Sequence, residues 1–555
     1  MRLRKIFLFA VLFPAVLTGW LAVGNLSYGE LSSATEPGII IPPEARASGV
    51  TIQRVLDRGQ ELERARRWGE ALNHYEEALR DHPDRVEIKR RISKTRIHYD
   101  LARRYSDSSY LQTLQNSSEQ ATLNVYSEML EKINRHYVAG PNWKLLVDQG
   151  TDHLGVALGD PTFLSLHLPK ASIDQLNAFR KELENSLRWR QVRNPRDARS
   201  AVAHAARLGW QKVQLRPAAT ILEYACGLTG ALDNYSTYLT PAQLDDVYSQ
   251  IEGSFVGLGI ELKAVNEALQ IVKVLPGSPA ELGGIHSGDR IVEVDGQSTR
   301  VVSTDKAADI LKGPEGSTVD LIVVSPAQIT RHLVLHRRRV EVPSVEETRM
   351  VDHQSGVGYI RLTSFQKTTE RDVDAAMWKL HQQGMKSLIV DVRGNPGGLL
   401  TASVEVADKF VSQGTIVSTR GRSAREDYDY KANHANTWQI PLVVLIDRDS
   451  ASASEIFAAA IHDHRRGLVV GQKSYGKGSV QGIFPLASSN AGIRLTTAKF
   501  YSPRGVSISR KGVSPDVKVQ LVAKPVDGSS KSVELSHDLV LEAGIQVARK
   551  QLAKR

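Results

Sequence analysis

At 555 residues the chain is too long for a single hydrophobic core, and at roughly 100 to 200 residues per domain it implies about three to five units. With 41% hydrophobic and 24% charged residues it has the make-up of a globular protein, which excludes wholesale disorder. The formal net charge of +10 tolerates an acidic partner surface, yet the most basic run, "HRRR" at 336–339, closes an alternating segment and reads as a solvated strand end, so nucleic acid is not expected as a partner. The single cysteine, Cys226, cannot form an intrachain disulfide and says nothing about export.

In chain order, Arg2, Arg4 and Lys5 precede an uncharged apolar run at 6–24 that is interrupted by Pro14. A cleavable leader usually has about 7 to 15 apolar residues and a spanning helix about 20, so this run lies near the anchor end, with "SSA" at 32–34 as a cleavage alternative. Residues 1–35 are therefore expected to be a signal peptide or membrane anchor, with the basic flank inside and the rest of the chain exported. Export is the expectation, to a bacterial periplasm or the outer face of the cytoplasmic membrane. A Pro/Gly linker at 36–49 follows.

In 50–115 the stretch "RRWGEALNHYEEALRDHP" spaces Trp68, Gly69, Ala71, Leu72, Tyr75, Ala78, Leu79 and Pro83 in a way that resembles one tetratricopeptide repeat. A plain amphipathic hairpin fits the same spacing. Residues 116–252 continue with apolar residues at three and four spacing, as in "LNVYSEMLEKINRHYV", with no catalytic grouping. This helical region is a candidate for adaptor binding or self-association. From 253 to 342 the period changes to alternating strands with a Pro-Gly turn and "GDRIVEVDG", which resembles a PDZ domain of the bacterial type. In such modules the backbone of a Gly-rich turn holds a C-terminal carboxylate and the next strand pairs with the peptide, roles that fall to Gly257, Leu258, Gly259 and Ile260.

Residues 343–520 alternate strand and helix, the signature of an α/β layer with substantially parallel strands, and 521–555 read as a C-terminal helical tail. Three loops of the α/β layer carry unusual residues. "DVRGNPGG" (391–398) offers unobstructed backbone N–H groups. "DSASASE" (449–455) puts a serine at a helix N-terminus, where the field favours developing negative charge. "GQKSYGKGSVQ" (471–481) has most of a P-loop, but Gly478 stands where the Mg²⁺-binding hydroxyl is required. If "KGSVQ" is extended, Lys477, Ser479 and Gln481 share one face.

A serine attacks an amide only when a base takes its proton. His462 and His464 lie at the far end of the helix that Ser452 would begin, on the order of 15 Å away, and no G-x-S-x-G elbow is present. A lysine serves instead if burial lowers its pKa towards neutrality, and the neighbouring Gly476 and Gly478 allow Lys477 a close approach. Gln481 could orient the amine without adding charge. A structural role competes for Ser452, since S-x-x-E to Glu455 is also a capping box worth about 0.5 to 2 kcal/mol. Ser450 and Ser454 remain as alternatives.

Together "SASASEIFAAA", "SYGKGSVQ", "DVRGNPGG", "KGVSPDVKV" and the PDZ-like insert resemble the carboxyl-terminal processing proteases, also called tail-specific proteases, over residues 231–519. The resemblance implies a multidomain α+β protein with a helical N-terminal region, a PDZ-like β domain that gates access, and an α/β, crotonase-like Ser-Lys protease core. It assigns the nucleophile to Ser452, the base to Lys477 and the supporting amide to Gln481. The oxyanion donors fall to the N–H groups of Ala453 and of a glycine in "NPGG", Gly398 in preference to Gly397. It implies polypeptide substrates with unstructured apolar C-termini, and no metal, nucleotide or other cofactor. Family members often read D-P-H-S where this chain has Asp233-Asn234-Tyr235-Ser236, a change expected to leave the trio untouched. Two other classes compete: a non-catalytic PDZ and repeat scaffold, and a P-loop ATPase that depends on Lys477.

Overall fold

Apolar residues at helical spacing through the first two-fifths of the chain give an uninterrupted run of helices from Ile52–Arg64 to Pro217–Gly230 in the computed structural model. The structure describes residues 52–265, 268–299, 311–433, 437–519 and 538–554. The expected leader or anchor at 1–35 and the linker at 36–49 lie outside the described residues. Among the described residues no helix is long and apolar enough to cross a membrane.

The first helices, Ile52–Arg64, Trp68–Asp81 and Val86–Ser106, pack around their own small core, with Val55, Leu62, Ala71, Leu72, Tyr75, Ile88 and Ile92 buried. Tyr75 lies across Gly59 so closely that a Cβ there would come within 2.1 Å of the ring, which requires glycine at the crossing. The later helices share a larger core that continues onto Leu486, Ile493 and Leu495 of the sheet beyond. Glu223 is buried within it and accepts from Arg104 (2.8 Å), His153 (3.0 Å), Tyr105 (3.1 Å) and Tyr110 (3.2 Å). Burial would raise its pKa, but Arg104 and then His153 and Tyr105 outweigh that and hold the carboxylate at about 2.

Two sheets build the α/β core. One runs in the order Val345–Asp352, Val357–Leu362, Ser387–Asp391, Leu442–Ile446, Leu468–Gly471, Val517–Lys518. Its first pair is antiparallel and the others parallel. Ser387–Asp391 and Leu442–Ile446 are buried throughout, as near-continuous apolar strands covered on both faces must be. The helices Thr369–Gln382, Leu400–Asp408 and Ala453–Asp463 cover one face and the C-terminal helix Leu539–Ala553 the other. The second sheet is antiparallel: Thr237–Leu239 and Ser479–Pro485 pair with Gly492–Tyr501, which also pairs with Thr415–Gly421.

Thr237–Leu239 falls in a segment that reads as helical in the sequence, and at three residues it is too short to show a strand period. Because it belongs to the core sheet, the β module that follows is an insertion within that core. Among the described residues six antiparallel strands of this module, from Ile260–Val265 to Thr330–His336, enclose a separate core, and Ser254–Gly257 pairs with Arg338–Glu341 where the chain enters and leaves. The basic run there is not solvated throughout. Arg337 turns inward at the break between two strands and donates to the Leu311 carbonyl (3.0 Å) and the Ser317 hydroxyl (3.2 Å).

Candidate active site

The parallel strands Ser387–Asp391 and Leu442–Ile446 end side by side, so the loops that leave them meet above the sheet. Asp447 ties these loops together by accepting from the N–H groups of Gly394 (3.0 Å), Asp449 (3.0 Å) and Ser450 (2.9 Å). Two of the three serines are committed to this scaffold. Ser450 Oγ donates to the Val392 carbonyl (2.8 Å) and Ser454 Oγ to the Asn395 carbonyl (2.9 Å). Ser452 is different. Its Oγ is buried and has no hydrogen-bond partner among the described residues, and its backbone stands at φ 57°, ψ −111°, a conformation that costs a non-glycine residue roughly 1–3 kcal/mol.

Ser452 caps the Ala453–Asp463 helix, and the expected capping box is present in outline. Only one half is a true hydrogen bond: Glu455 accepts from the Ser452 N–H at 2.8 Å, while Ser452 Oγ makes none. Glu455 does far more than cap. Its Oε1 accepts from Ser474 Oγ (2.6 Å) and the Gly476 N–H (2.6 Å), and its Oε2 from the Lys477 N–H (2.8 Å) as well as from Ser452. The loop that resembles a P-loop thus wraps an anion through its backbone, and that anion is an internal carboxylate. Burial pushes the Glu455 pKa upward against these donors.

Lys477 is 2% exposed, and its Nζ sits 4.7 Å from the centre of the Tyr235 ring. Its pKa is well below that of an ordinary lysine, first because burial disfavours the ammonium and then because Arg494 repels it, with Glu455 and Asp233 opposing. Lys477 precedes the strand Ser479–Pro485 rather than belonging to it. Ser479 and Gln481 do meet, with the Gln481 amide donating to Ser479 Oγ (2.9 Å) and Thr496 Oγ1 (3.4 Å). The Gln481 Oε1 has no hydrogen-bond partner among the described residues.

The "NPGG" loop packs onto the serine loop. A Cβ on Gly397 would lie 2.8 Å from Ser452 Cβ and 2.9 Å from the Ala453 nitrogen. Gly397 donates its N–H to Asn395 Oδ1 (2.8 Å), whereas Gly398 bridges to Phe365 through its neighbours, the Phe365 N–H donating to the Gly397 carbonyl (2.9 Å) and the Leu399 N–H to the Phe365 carbonyl (2.7 Å), so its own N–H takes no part in that bridge. Gly398, at φ 142°, leaves no room for a side chain, since a Cβ would stand 2.0 Å from the Phe365 carbonyl oxygen. Arg393 anchors the same loop, donating to Asp391 (2.6 Å) and to Asp538 (2.7 Å), the N-cap of the C-terminal helix.

The remaining candidates are placed elsewhere. His462 faces Asp463 (3.0 Å) and Asp516 (3.5 Å), and His464 meets the Thr415 carbonyl (2.8 Å), both at the far end of the helix. In the β module Leu258 is a core residue, and its carbonyl and that of Gly259 accept from Ala280 (3.0 Å) and Leu275 (2.8 Å). Gly257 ends its strand and Ile260 begins the next. Sequence reasoning gave no role to three neighbours of the site: Tyr235, whose ring lies on Lys477; Arg494; and Glu455 beyond its cap. The signal for Tyr235 was present in the departure from D-P-H-S. The expected hairpin is present, but its contact with the serine loop was not foreseen: Arg80 reaches Asp449 (3.1 Å) and stacks 4.7 Å over Tyr475, while Arg448 reaches Asp81 (2.7 Å).

The profile of peptidase family S41 matches residues 356–519, and that of the PDZ domain matches residues 249–324. The carboxy-terminal-processing protease of Bartonella bacilliformis is 36% identical over 301 residues, 53% of this chain and 68% of that protein. The carboxyl-terminal-processing protease of Synechocystis is 34% identical over 324 residues, 57% of this chain and 75% of that protein. Among solved structures, the photosystem II D1 C-terminal processing protease is 27% identical, covering 73% of this chain and 93% of its own, with a TM-score of 0.38.

Proposed function

Since the chain belongs to the carboxyl-terminal-processing proteases of peptidase family S41 and carries a PDZ domain, we propose that it is a serine endopeptidase in which Ser452 is the nucleophile and Lys477 its general base. The observation that carries this reading is the single carboxylate oxygen, Glu455 Oε2, that accepts from the backbone of both residues and so fixes the two loops to each other. The unpartnered Ser452 hydroxyl and the depressed lysine pKa support it.

Neutral Lys477 Nζ takes the Ser452 Oγ proton as Oγ attacks the scissile carbonyl carbon. The tetrahedral oxyanion is received by the N–H groups of Gly398 and Ala453, a type of contact worth roughly a hundredfold to a thousandfold per donor. The C–N bond breaks, the ammonium returns its proton to the departing amine, and an acyl ester remains on Ser452. Water, deprotonated by the same amine, then attacks the ester, and the proton goes back to Oγ as the acid product leaves. Gln481, held by Ser479, directs its free carbonyl oxygen towards orienting the amine.

The substrates are proteins cleaved near unstructured, apolar C-terminal tails. The PDZ domain captures such a tail through the turn that includes Gly257, Leu258, Gly259 and Ile260, and gates entry to a site whose nucleophile is fully buried at rest. The protein works outside the cytoplasm, delivered or anchored by residues 1–35. The test is to mix the purified chain with an exported protein ending in an apolar, unstructured tail and to identify fragments by mass spectrometry. Wild type should release tail fragments, and Ser452→Ala and Lys477→Ala none. Full turnover by Lys477→Ala would remove the lysine from the mechanism.

A further inference from the structure

The backbone of Tyr235 is fixed from two sides. Asp233 accepts from the N–H groups of Tyr235 (2.7 Å) and Ser236 (2.8 Å), and Arg494 Nε donates to the Tyr235 carbonyl (3.0 Å). Thr237–Leu239, which follows at once, is registered against Gly492, Ile493 and Arg494. The ring is thereby carried to the lysine on the rigid edge of a sheet. At 4.7 Å between Nζ and the ring centre, the amine lies within the roughly 6 Å over which an aromatic face attracts a cation.

We propose that Tyr235 is a positioning residue for the base: the face of its ring seats Lys477 Nζ and stabilises the ammonium form, and so sets the pH at which the amine can accept the Ser452 proton. The inference rests on Lys477 being that base. Opposing fields meet at the amine. Burial and the Arg494 guanidinium, reaching in from the strand Gly492–Tyr501, disfavour the ammonium, while Glu455 from the Ala453–Asp463 helix and Asp233 from the turn favour it. The titratable and charged groups that act on Tyr235 itself are Tyr475, Asp233, Glu455 and Arg96. Without the ring the attractive side loses a member that carries no charge of its own, and the lysine pKa falls further.

Only the neutral amine takes the proton, so kcat/KM rises with pH through the lysine pKa, and weakening the ring must shift that acid limb to lower pH. The experiment replaces Tyr235 in the full-length chain by Phe and then by phenylalanines of increasing fluorination, which empty the π face at nearly constant volume. Phe should keep the wild-type limb, and the most fluorinated ring should lower it by about one pH unit, with intermediate members in order. Tyr235→Leu, melted in parallel to check folding, should shift the limb in the same direction with a lower plateau. A limb that stays fixed across the series while Lys477→Ala is inactive overturns the proposal and leaves the dyad standing. Full turnover by Lys477→Ala overturns the dyad, and the proposal with it.

Discussion

Glu455 is the residue whose replacement separates catalytic positioning from simple helix capping. Four donors converge on its carboxylate: Ser474 Oγ, and the N–H groups of Ser452, Gly476 and Lys477. Glu455→Ala would strand all four in a buried site at about 1 kcal/mol or more each, roughly 4 kcal/mol or more against a total stability of about 5–15 kcal/mol, so folding itself is at risk. Glu455→Gln is the sharper instrument. With its oxygen kept at the Oε2 position it still joins Ser452 to Lys477, and its amide faces Ser474 Oγ, which can turn to accept, and the Gly476 N–H, which cannot. One unsatisfied donor and the lost charge then cost about 1–3 kcal/mol, visible as a lowered Tm. Removing the charge also removes support for the Lys477 ammonium, so the acid limb of kcat/KM should move to lower pH while its plateau drops about tenfold to a hundredfold through misplacement of the pair. The assay is a pH series of tail cleavage beside a thermal melt. A Glu455→Gln enzyme that melts lower by the cost of a cap alone, with wild-type plateau and limb, would refute the hub.

Three further outcomes follow from neighbouring contacts. Ser454→Ala loses one buried bond to a carbonyl and should lower stability by about 1 kcal/mol, Ser450→Ala also strands the Asp447 N–H and should cost about 1–3 kcal/mol, and both should keep measurable cleavage, whereas Ser452→Ala should keep its fold and lose all cleavage, as read by melts and tail-fragment yield. Arg494→Gln removes the cation that lowers the lysine pKa, so the acid limb should move to higher pH, opposite in direction to Glu455→Gln, in the same pH series. Arg448→Asp should loosen the hairpin from the serine loop with a change in overall stability within about 1 kcal/mol, because the pair is exposed. Hydrogen exchange in Trp68–Asp81 should then accelerate, and adding Asp81→Arg should restore the wild-type rate.

What the sequence makes legible here is local, and what it hides is long-range. The helices between residues 52 and 230 follow from apolar spacing, and the buried parallel strands from runs such as Leu442–Ile446, because each period repeats within a few residues. The serine, lysine and glycine loops stand out because each carries its own unusual letters. Glu455 is visible as a cap three residues from Ser452, but nothing local says that its carboxylate also spans 19 to 22 residues to Ser474, Gly476 and Lys477. Tyr235 reaches Lys477 only because Thr237 is registered against Arg494, a pairing of distant segments through a strand too short to announce itself. The positive φ of Ser452 is likewise not legible locally, since the residue type argues against it; it occurs where Gly397 packs against the serine. Arg337 looked solvated because a basic run at a strand end usually is. Its burial depends on the carbonyl of Leu311 and the hydroxyl of Ser317 arriving from another part of the module.

The central claim, that Ser452 is acylated with Lys477 as its base, is tested most directly by intact-mass spectrometry after mixing the enzyme with a slowly deacylating peptide ester at neutral pH. Wild type should gain one acyl mass, mapped after digestion to the peptide containing Ser452, and neither Ser452→Ala nor Lys477→Ala should gain it. An acyl group mapped to another residue, or Lys477→Ala acylated at the wild-type rate, would contradict the account.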